Sequence, residues 1–383
     1  DVNSIQVDPQ LNNLNDLHFQ PLTINHQLIG AGVPTVYSTD IDGDLRNTSP
    51  TIGADEASSL VFDLALSHYL MDSVVCNGNN PVQASIVNYS TTAVITAATF
   101  NWEVNGITQV PYIWSGNLSN GQSANIFLGS YNFTGGSYTI KSWITDANGT
   151  SDFNQYNDTI NNVFDAGGLS GVYTIGGASP SYNNLATAIN ALHTQGICSS
   201  VIFNIRPGTY NENIVINHIK GADSTNTVTF KSEIGNTATI NGVFNPGTVV
   251  LDGAHDIIFD SITISGNAIS IKLQNDPCRN ISILNSYIDN AISAQATVHK
   301  FHVINCMVMD LINIQPTWYA DGCSDIRIEN NFIQGKLFLF KVDGARVINN
   351  DIHDYVYLEF VYNFQIIGNK IEHLTNGSTG SSL

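Results

Sequence analysis

The sequence is short of charge. Only 12% of its 383 residues are Asp, Glu, Lys or Arg, about half of the ~25% that is usual in a soluble domain. Helical bundles and coiled coils need long charged helix faces, so this shortage excludes them. Cations are scarcest, with 13 Lys and Arg against 32 Asp and Glu and a formal net charge of −19. Such a chain can hardly assemble the basic patch that neutralises phosphates, which argues against nucleic-acid binding.

Long apolar runs and metal-binding cysteine pairs are missing too. No run reaches the ~18 apolar residues of a membrane-spanning helix. The first residues contain neither an initiator Met nor a signal peptide, so we expect a mature or excised piece of a longer protein, with no membrane-spanning segment. The five cysteines form no CxxC pair, which leaves no zinc-site spacing. Because five is odd, we expect buried thiols or an occasional disulfide, with at least one thiol unpaired in a monomer.

Asparagine and glycine take the place of the missing charges. The sequence has 46 Asn and 31 Gly, residues that are typical of turns. Its 43% of hydrophobic residues suffice for a core and argue against disorder. The composition therefore indicates a β-rich, turn-rich and acidic protein that looks secreted.

From about residue 255 onwards one short unit is repeated. Each copy has a strand with alternating apolar positions, a bend at Asn and a second apolar strand. Alignment of the bends predicts one column, spaced by 25, 20, 25, 19 and 19 residues, that contains Asp260, Asn285, Asn305, Asn330, Asn349 and Gly368. A period near 20 suits one coil of a parallel β-helix, whose coils stack at ~4.8 Å. Stacked Asn side chains hydrogen-bond along such a column and tolerate left-handed bends.

The cysteines add a constraint on this repeat. Cys278 and Cys323 each lie seven residues before the bend Asn of their coil. They therefore share a column two coils apart, and the resulting ~9.6 Å is beyond the reach of a disulfide.

A capping helix is predicted ahead of the solenoid. Strand patterns begin near residue 201, and the segment 182–195 before them places Leu185, Ile189 and Leu192 at helical spacing on one face. We expect this helix to cover the open apolar end of the first coil. No equivalent pattern follows the last coil, so we expect further coils beyond residue 383.

Residues 71–166 follow a different pattern. Short alternating strands are separated by Asn and Gly turns, and Asn105-Gly106 is the signal of a type I′ hairpin. This pattern predicts an Ig-like β-sandwich, with a linker or first strand at 57–70 before it and a β-helix at 167–383 after it. Trp102 and Trp143 fall within alternating strands, so we expect them to pack in the core rather than stack on sugars.

Residues 1–56 contain a candidate cation site. Asp40, Asp42 and Asp44 alternate along the chain, as in loops that offer carboxylates to calcium. An EF-hand would need Glu at the twelfth loop position, where Thr51 stands. Two interpretations stay open: a calcium site, which would hold the only cofactor, and an acidic turn paired with Arg46.

These segments resemble the modules of large surface proteins from the Bacteroidota phylum. Their adhesion-type Ig-like domains are similar to residues 76–164, which contain Phe100-Asn-Trp-Glu-Val-Asn-Gly106. The opening of their right-handed parallel β-helix (pectin-lyase-like) domains is similar to Leu169-Ser-Gly-Val-Tyr-Thr-Ile-Gly-Gly177 and Arg206-Pro-Gly-Thr-Tyr-Asn-Glu212. The motif Asp40-Ile-Asp-Gly-Asp-Leu-Arg46 resembles the tail of a preceding β-helix domain, which assigns residues 1–56 to such a tail.

The resemblance implies where such a protein acts and what it meets. It implies an extracellular or cell-surface location, export and surface attachment by the type IX secretion machinery, and a carbohydrate or surface ligand as partner. Ser73, Thr159 and Ser261 each follow Asp and precede an apolar residue, which matches the short O-glycosylation pattern of that phylum.

Two classes of function are compatible with this architecture. Many pectin-lyase-like β-helices cleave acidic polysaccharides as lyases or glycoside hydrolases, which requires a base or paired acids. The candidates Lys300, Arg327 and Arg346 fall in successive coils but share no clear column, and Asp321 and Asp343 each precede Gly, as in turns. We therefore predict a non-catalytic adhesin, stalk or filament segment that can contact polysaccharide, with a polysaccharide-active enzyme as the alternative.

Overall fold

The chain folds almost entirely as β-strands. A computed structural model describes residues 11–376, apart from 14–15, 20–27, 29–30, 54–62, 91–92, 150–154, 318–321 and the single positions 34, 42, 44, 47 and 49. It divides into two compact units, Asp1–Asp72 with Asn77–Ala166 and Ser73–Cys76 with Gly167–Leu383. The predicted all-β fold, in which a sandwich is followed by a parallel β-helix, is confirmed.

The first unit is centred on an antiparallel sandwich. One sheet contains Thr159–Ala166, Gly136–Ala147, Ile95–Val104, Ile107–Thr108 and Tyr112–Leu118, and the other contains Leu64–Tyr69, Gly78–Asn88 and Ser123–Phe133. Asn105 and Gly106 have φ of 49° and 76°, the left-handed pair that a type I′ hairpin requires. Trp102 is buried, as expected, whereas Trp143 is half-buried, with Lys141 Nζ 5.3 Å from its ring centre.

The boundaries of the sandwich differ from the predicted ones. The strand Leu64–Tyr69 pairs with Gly78–Asn88, so the sandwich begins before residue 71. The short strand Val74–Val75 instead belongs to the second unit, where Val75 O accepts a hydrogen bond from Gly167 N.

The described part of residues 1–56 contains little regular structure. Leu11–Asn13 pairs with Asp16–Phe19, and Thr39 and Leu45 form an isolated bridge. Much of this segment lies outside the described residues, so its assignment to the tail of a β-helix stays a prediction.

The second unit is a solenoid with three parallel faces. The first face contains Leu169–Ile175, Ile197–Ile205, Val228–Ser232, His255–Asp260, Cys278–Leu284, Val298–Ile304, Cys323–Glu329, the end of Leu337–Ile348, and Gln365–Ile367. The second face contains Gly208–Tyr210, Ala238–Asn241, Thr263–Ser265, Tyr287–Ile288, Met307–Val308, Phe332–Ile333 and the starts of Asp351–Tyr362 and Lys370–Asn376. The third face contains Ile214–Asn217, Val249–Asp252, Ile269–Gln274, Ala291–Ala294, Ile312–Ile314, the start of Leu337–Ile348 and the ends of the last two strands.

Stacking of like side chains builds the core of the solenoid. Phe203, Phe230 and Phe259 lie in direct register on the first face. Their ring centres are 5.1 and 5.5 Å apart, and all three side chains are fully buried. Because strand residues alternate between inside and outside, each inward column is flanked by outward columns that run along the solenoid axis.

The predicted helix precedes the first complete coil. It spans Leu185–Gln195 and begins three residues later than expected, because Asn184 is its N-cap and accepts a hydrogen bond from Thr187 N. The Glu212 carboxylate accepts hydrogen bonds from the first two helical N–H groups, where the helix dipole favours negative charge. Leu185, Ile189 and Leu192 are buried against the solenoid core. Among the described residues, no helix has the length and apolar character needed to cross a bilayer.

Candidate functional site

The predicted Asn column lies at the bend between the first and second faces. Asn285, Asn305, Asn330 and Asn349 have φ between 51° and 57°, the left-handed region that Asn tolerates. Asn305 Nδ2 donates to Asn285 Oδ1 over 3.2 Å. These side chains are exposed, so the column shapes the bend at the solenoid surface.

The placement of Asp260 in this column is wrong. Asp260 pairs with Leu284, and Ser261 occupies the bend with φ 54°. The prediction aligned side-chain type rather than apolar alternation, which shifted this coil by one residue. Asp260 still contributes, since its Oδ1 accepts from Asn285 Nδ2 at 2.8 Å and from Ser261 Oγ at 3.0 Å.

A second amide column, which the sequence prediction missed, lies one residue further on and inside the solenoid. Asn331 and Asn350 are buried, and Asn331 Nδ2 donates to Asn350 Oδ1 over 2.9 Å. Asn350 Nδ2 donates in turn to Asn369 Oδ1 over 2.8 Å. The signal was present in the doublets Asn330-Asn331 and Asn349-Asn350, whose second members repeat at the spacing of the first.

The outward column in the middle of the first face carries the main cluster of cationic side chains. Arg327 and Arg346 are in direct register, and His302 is in register with Arg327 one coil earlier. Sequence alignment had given the arginines no shared column, and the structure corrects this. Lys300 does not share this column. It has φ 56° and lies near the start of its strand, at the edge of the first face where the strands begin, which we call the leading edge.

Ion pairs hold both guanidinium groups. Arg327 Nε lies 3.3 Å from Asp325 Oδ1, and Arg346 Nε lies 3.4 Å from Glu329 Oε1. Within the part of the chain that the structure describes, both arginines make their polar contacts through Nε. The terminal nitrogens of these forked groups therefore remain available to a ligand.

A second row of cationic or titratable side chains follows the leading edge of the first face. His255, Arg279 and His299 are in direct register on successive coils. The His218 ring lies 5.0 Å from that of His255, and His299 Nδ1 lies 2.7 Å from Ser324 Oγ. The first-face surface is the name used below for this row, the His302–Arg327–Arg346 column, Lys300 and five carboxylates. The carboxylates are those of Asp256, Asp260, Asp325, Glu329 and Asp343.

The first-face surface is nearly balanced in charge. Its five coils from His255 to Ile348 carry four Lys or Arg and five Asp or Glu at outward and leading-edge positions, in a chain whose net charge is −19. Each carboxylate has a donor within hydrogen-bonding or ion-pairing distance: Asp256 with Asn280, Asp260 with Asn285, Asp325 with Arg327, Glu329 with Arg346, and Asp343 with Asn363. An anionic ligand therefore meets less repulsion here than the net charge of the whole chain would suggest.

Two of the histidines have a lowered pKa. Burial lowers the pKa of His302, and the Arg327 charge lowers it further, with Asp325 opposing. Its Nε2 atom is buried and lies 3.9 Å from Asp325 Oδ1, beyond hydrogen-bonding distance. Burial likewise lowers the pKa of His255, assisted by His218 and Arg279.

The other predicted site residues do not join this cluster. Asp321 lies outside the described residues, as do Asp42 and Asp44 of the calcium hypothesis, which therefore stays a prediction. Among the described residues, no three His, Cys, Asp or Glu side chains are placed to hold a metal ion. Of the proposed glycosylation sites, Ser73 and Thr159 are exposed and Ser261 is half-buried at its bend.

The cysteines are structural. Cys76 and Cys198 form a disulfide within the second unit. Cys278, Cys306 and Cys323 are free and buried, and burial raises the pKa of the three thiols to about 11, 12 and 11. Val298 lies in register between Cys278 and Cys323, which confirms their predicted separation by two coils.

The chain is distantly similar to solved structures. No family model matches the sequence, and no curated protein matches it. The pectin methylesterase of Aspergillus niger is 14% identical, covering 56% of this chain and 82% of its own, with a TM-score of 0.30. A family 28 exopolygalacturonase of Yersinia enterocolitica is 9% identical over 82% of this chain and 86% of its own, with a TM-score of 0.22. A CARDB domain from Pyrococcus furiosus is 12% identical over 29% of this chain and 94% of its own, with a TM-score of 0.24.

Proposed function

We propose that this chain is a non-catalytic segment of a modular extracellular surface protein, and that its first-face surface binds anionic polysaccharide. The observation that carries the proposal is the pair Arg327 and Arg346, in register on adjacent coils with each Nε held by a carboxylate. Adjacent coils are ~4.8 Å apart, so the pair presents two forked donors along the solenoid axis.

Pre-organisation favours binding at this pair. The Arg327 and Arg346 side chains are 39% and 47% exposed, which leaves both within reach of solvent. Because their ion pairs already restrict the guanidinium planes, a ligand pays less ordering entropy on binding. Guanidinium groups match carboxylate and sulfate oxygens in paired hydrogen bonds, the groups that acidic polysaccharides repeat along their length.

The carboxylates of the first-face surface support a binding role over a catalytic one. Glycoside hydrolysis needs one carboxyl group that enters the reaction protonated and a second that acts as base or nucleophile. Asp325 and Glu329 are instead paired with arginines, and the remaining three accept hydrogen bonds from asparagine amides. Each of these carboxylates is therefore already engaged by a neighbouring side chain.

The extracellular part of the proposal rests on two other observations. The Cys76–Cys198 disulfide is typical of oxidising compartments. The resemblance of the sequence to Bacteroidota surface proteins adds the adhesin-like role and export by type IX secretion.

Binding of polygalacturonate, measured by isothermal titration calorimetry at pH 6, tests this function. We expect Arg327→Ala/Arg346→Ala to weaken binding by about tenfold or more, since each lost charge-assisted contact is worth ~1.5–3 kcal/mol. The matched control Lys336→Ala/Lys370→Ala removes two cations from the other two faces and should bind like the wild type. Neutral dextran should not bind.

Two outcomes contradict the proposal. One is that the arginine variant binds with wild-type affinity, which would mean that these two arginines do not contribute to binding. The other is release of unsaturated uronides or new reducing ends by the wild type and not by the arginine variant, which would make the chain an enzyme.

A further inference from the structure

We propose that polysaccharide binding at the first-face surface is proton-linked: His255 and His302 take up protons together with the anionic chain, so that mild acidification tightens binding. This inference rests on the proposed function. It adds that the surface senses pH, releasing its ligand near neutrality and holding it in acidic surroundings.

The positions of the histidines are the first support. His302 precedes Arg327 and Arg346 in the middle column, and His255 and His299 flank Arg279 on the leading edge. Each histidine is therefore one coil, ~4.8 Å, from an arginine in the same outward column. A polyanion that spans the arginines also spans the histidines.

The charge of the surface is the second support. With the histidines neutral, four cations face five carboxylates, so the surface is slightly negative. Protonation of His255 and His302 adds two positive charges and reverses the sign. No other side-chain type changes charge between pH 5 and 8 at its ordinary pKa, and the first-face surface holds three of the ten histidines of the chain.

The groups around His302 explain how a ligand would couple to its proton. Arg327 and Lys300 oppose protonation and Asp325 and Glu329 favour it, while burial contributes most to the lowered pKa. The register neighbour on the preceding coil, Ser282, is uncharged. A bound anion that neutralises the arginine and lysine removes their opposition, so the pKa of His302 rises on binding and a proton is taken up.

The leading edge repeats this arrangement. His255 is opposed by His218 and Arg279 and favoured by Asp256 and by a hydrogen bond to the Pro277 backbone, after the dominant effect of burial. His299 lies between Arg279 and Ser324 in its column. An anion on Arg279 therefore favours protonation of His255.

Calorimetry at pH 7.5 and pH 5.5 tests the inference. Dextran sulfate serves as the probe because its charge is constant over this range, and polygalacturonate serves as the carboxylate counterpart. We expect affinity for both to rise by about tenfold at pH 5.5, the effect of roughly one coupled pKa unit. Titrations in two buffers of different ionisation enthalpy should show net proton uptake.

Histidine variants test the pH dependence separately from the proposed binding function. His255→Gln/His302→Gln should lose most of the rise in affinity, whereas the control His68→Gln, an exposed histidine of the sandwich, should keep it. Should the double variant fail to fold, NMR titration of the His255 and His302 ring protons of the wild type gives the same answer, since their pKa values must rise when dextran sulfate is added. Binding with the same affinity at both pH values, without proton uptake, overturns the inference alone. Absence of binding at either pH overturns it together with the proposed function.

Discussion

The sandwich and the solenoid satisfy their buried polar groups in different ways. In the sandwich, buried polar side chains make hydrogen bonds that differ from one position to the next. Asn88 Nδ2 donates to the carbonyl oxygens of Ala93 and Leu118, and Tyr69 Oη lies 2.7 Å from Ser142 Oγ. Burial raises the pKa of Tyr69 accordingly. In the solenoid one solution is copied from coil to coil, as in the internal amide column of Asn331, Asn350 and Asn369.

This difference bears on where rows of like side chains arise. A sandwich position has no identical counterpart one strand away, and a charged side chain there faces a different partner, as Lys141 faces Glu103. A solenoid position recurs every ~4.8 Å, so one favourable side chain becomes a row of them. The arginine pair and the histidines of the first-face surface are such rows, and they suit a ligand that is itself a repeating polymer.

The largest expected effect comes from removing an aromatic ring from either core. Phe230→Ala eliminates the middle ring of the Phe203–Phe230–Phe259 stack, and Phe100→Ala empties a fully buried site in the sandwich. Each should lower the free energy of unfolding of its own unit by about 3–5 kcal/mol. Differential scanning calorimetry should show one transition moving in each variant while the other stays. A shift of both transitions in both variants would mean that the units unfold together.

Removing the disulfide should lower the free energy of unfolding of the solenoid by somewhat less than removing a core ring. Cys76→Ser/Cys198→Ser is expected to destabilise the second unit by about 2–4 kcal/mol, since the bond constrains the unfolded chain. Thermal unfolding with and without a reducing agent measures this, and reduction should leave the double variant unchanged. Equal melting temperatures of the wild type in both conditions would show that the bond contributes nothing.

The two amide columns should differ although they are adjacent in sequence. Asn350→Ala leaves buried partners unsatisfied, including Asn331 N–H and the Ile328 carbonyl, and should cost about 2–3 kcal/mol. Asn349→Ala changes an exposed left-handed residue and should cost ~1 kcal/mol. Denaturant titration of the two variants compares them directly. Similar losses would mean that the internal column is not the one that stabilises the coils.

The smallest effect is expected from pH. Burial lowers the folded-state pKa of His193, His255 and His302 below the ~6.5 of the unfolded chain. The unfolded state therefore binds more protons, and solenoid stability should decline as the pH falls below about 6.5. The sandwich strands contain one histidine, the exposed His68, so their transition should move less between pH 7.5 and 5.5. Calorimetry across this range measures both, and a solenoid transition that rises on acidification would contradict the expectation.

The sequence predicted the solenoid well because its geometry is periodic. Apolar alternation located the coils, and the bend Asn residues and the two-coil separation of Cys278 and Cys323 followed from the same period. The capping helix was predictable from three apolar residues at helical spacing.

The register of the first-face surface was harder to predict, although its signal was present. Arg327 and Arg346 are separated by 19 residues, as are Asn330 and Asn349, so the bend column already contained their register. Grouping the two arginines with Lys300, which lies in another column, hid this agreement. Asp260 was misplaced because chemical similarity was given more weight than apolar alternation. The Cys76–Cys198 pairing has no sequence signal, since it depends on where the segment between the sandwich strands Leu64–Tyr69 and Gly78–Asn88 packs in the solenoid.

That disulfide also determines how the chain carries tension. Cys76 and Cys198 are 122 residues apart in sequence, and any pull transmitted along the backbone from residue 75 to residue 199 passes through the sulfur–sulfur bond. The strands from Gly78–Asn88 to Thr159–Ala166 lie inside the bypassed loop, whereas Leu64–Tyr69 lies outside it. About 400 Å of potential chain extension is thereby withheld from a stretched molecule until the bond is reduced.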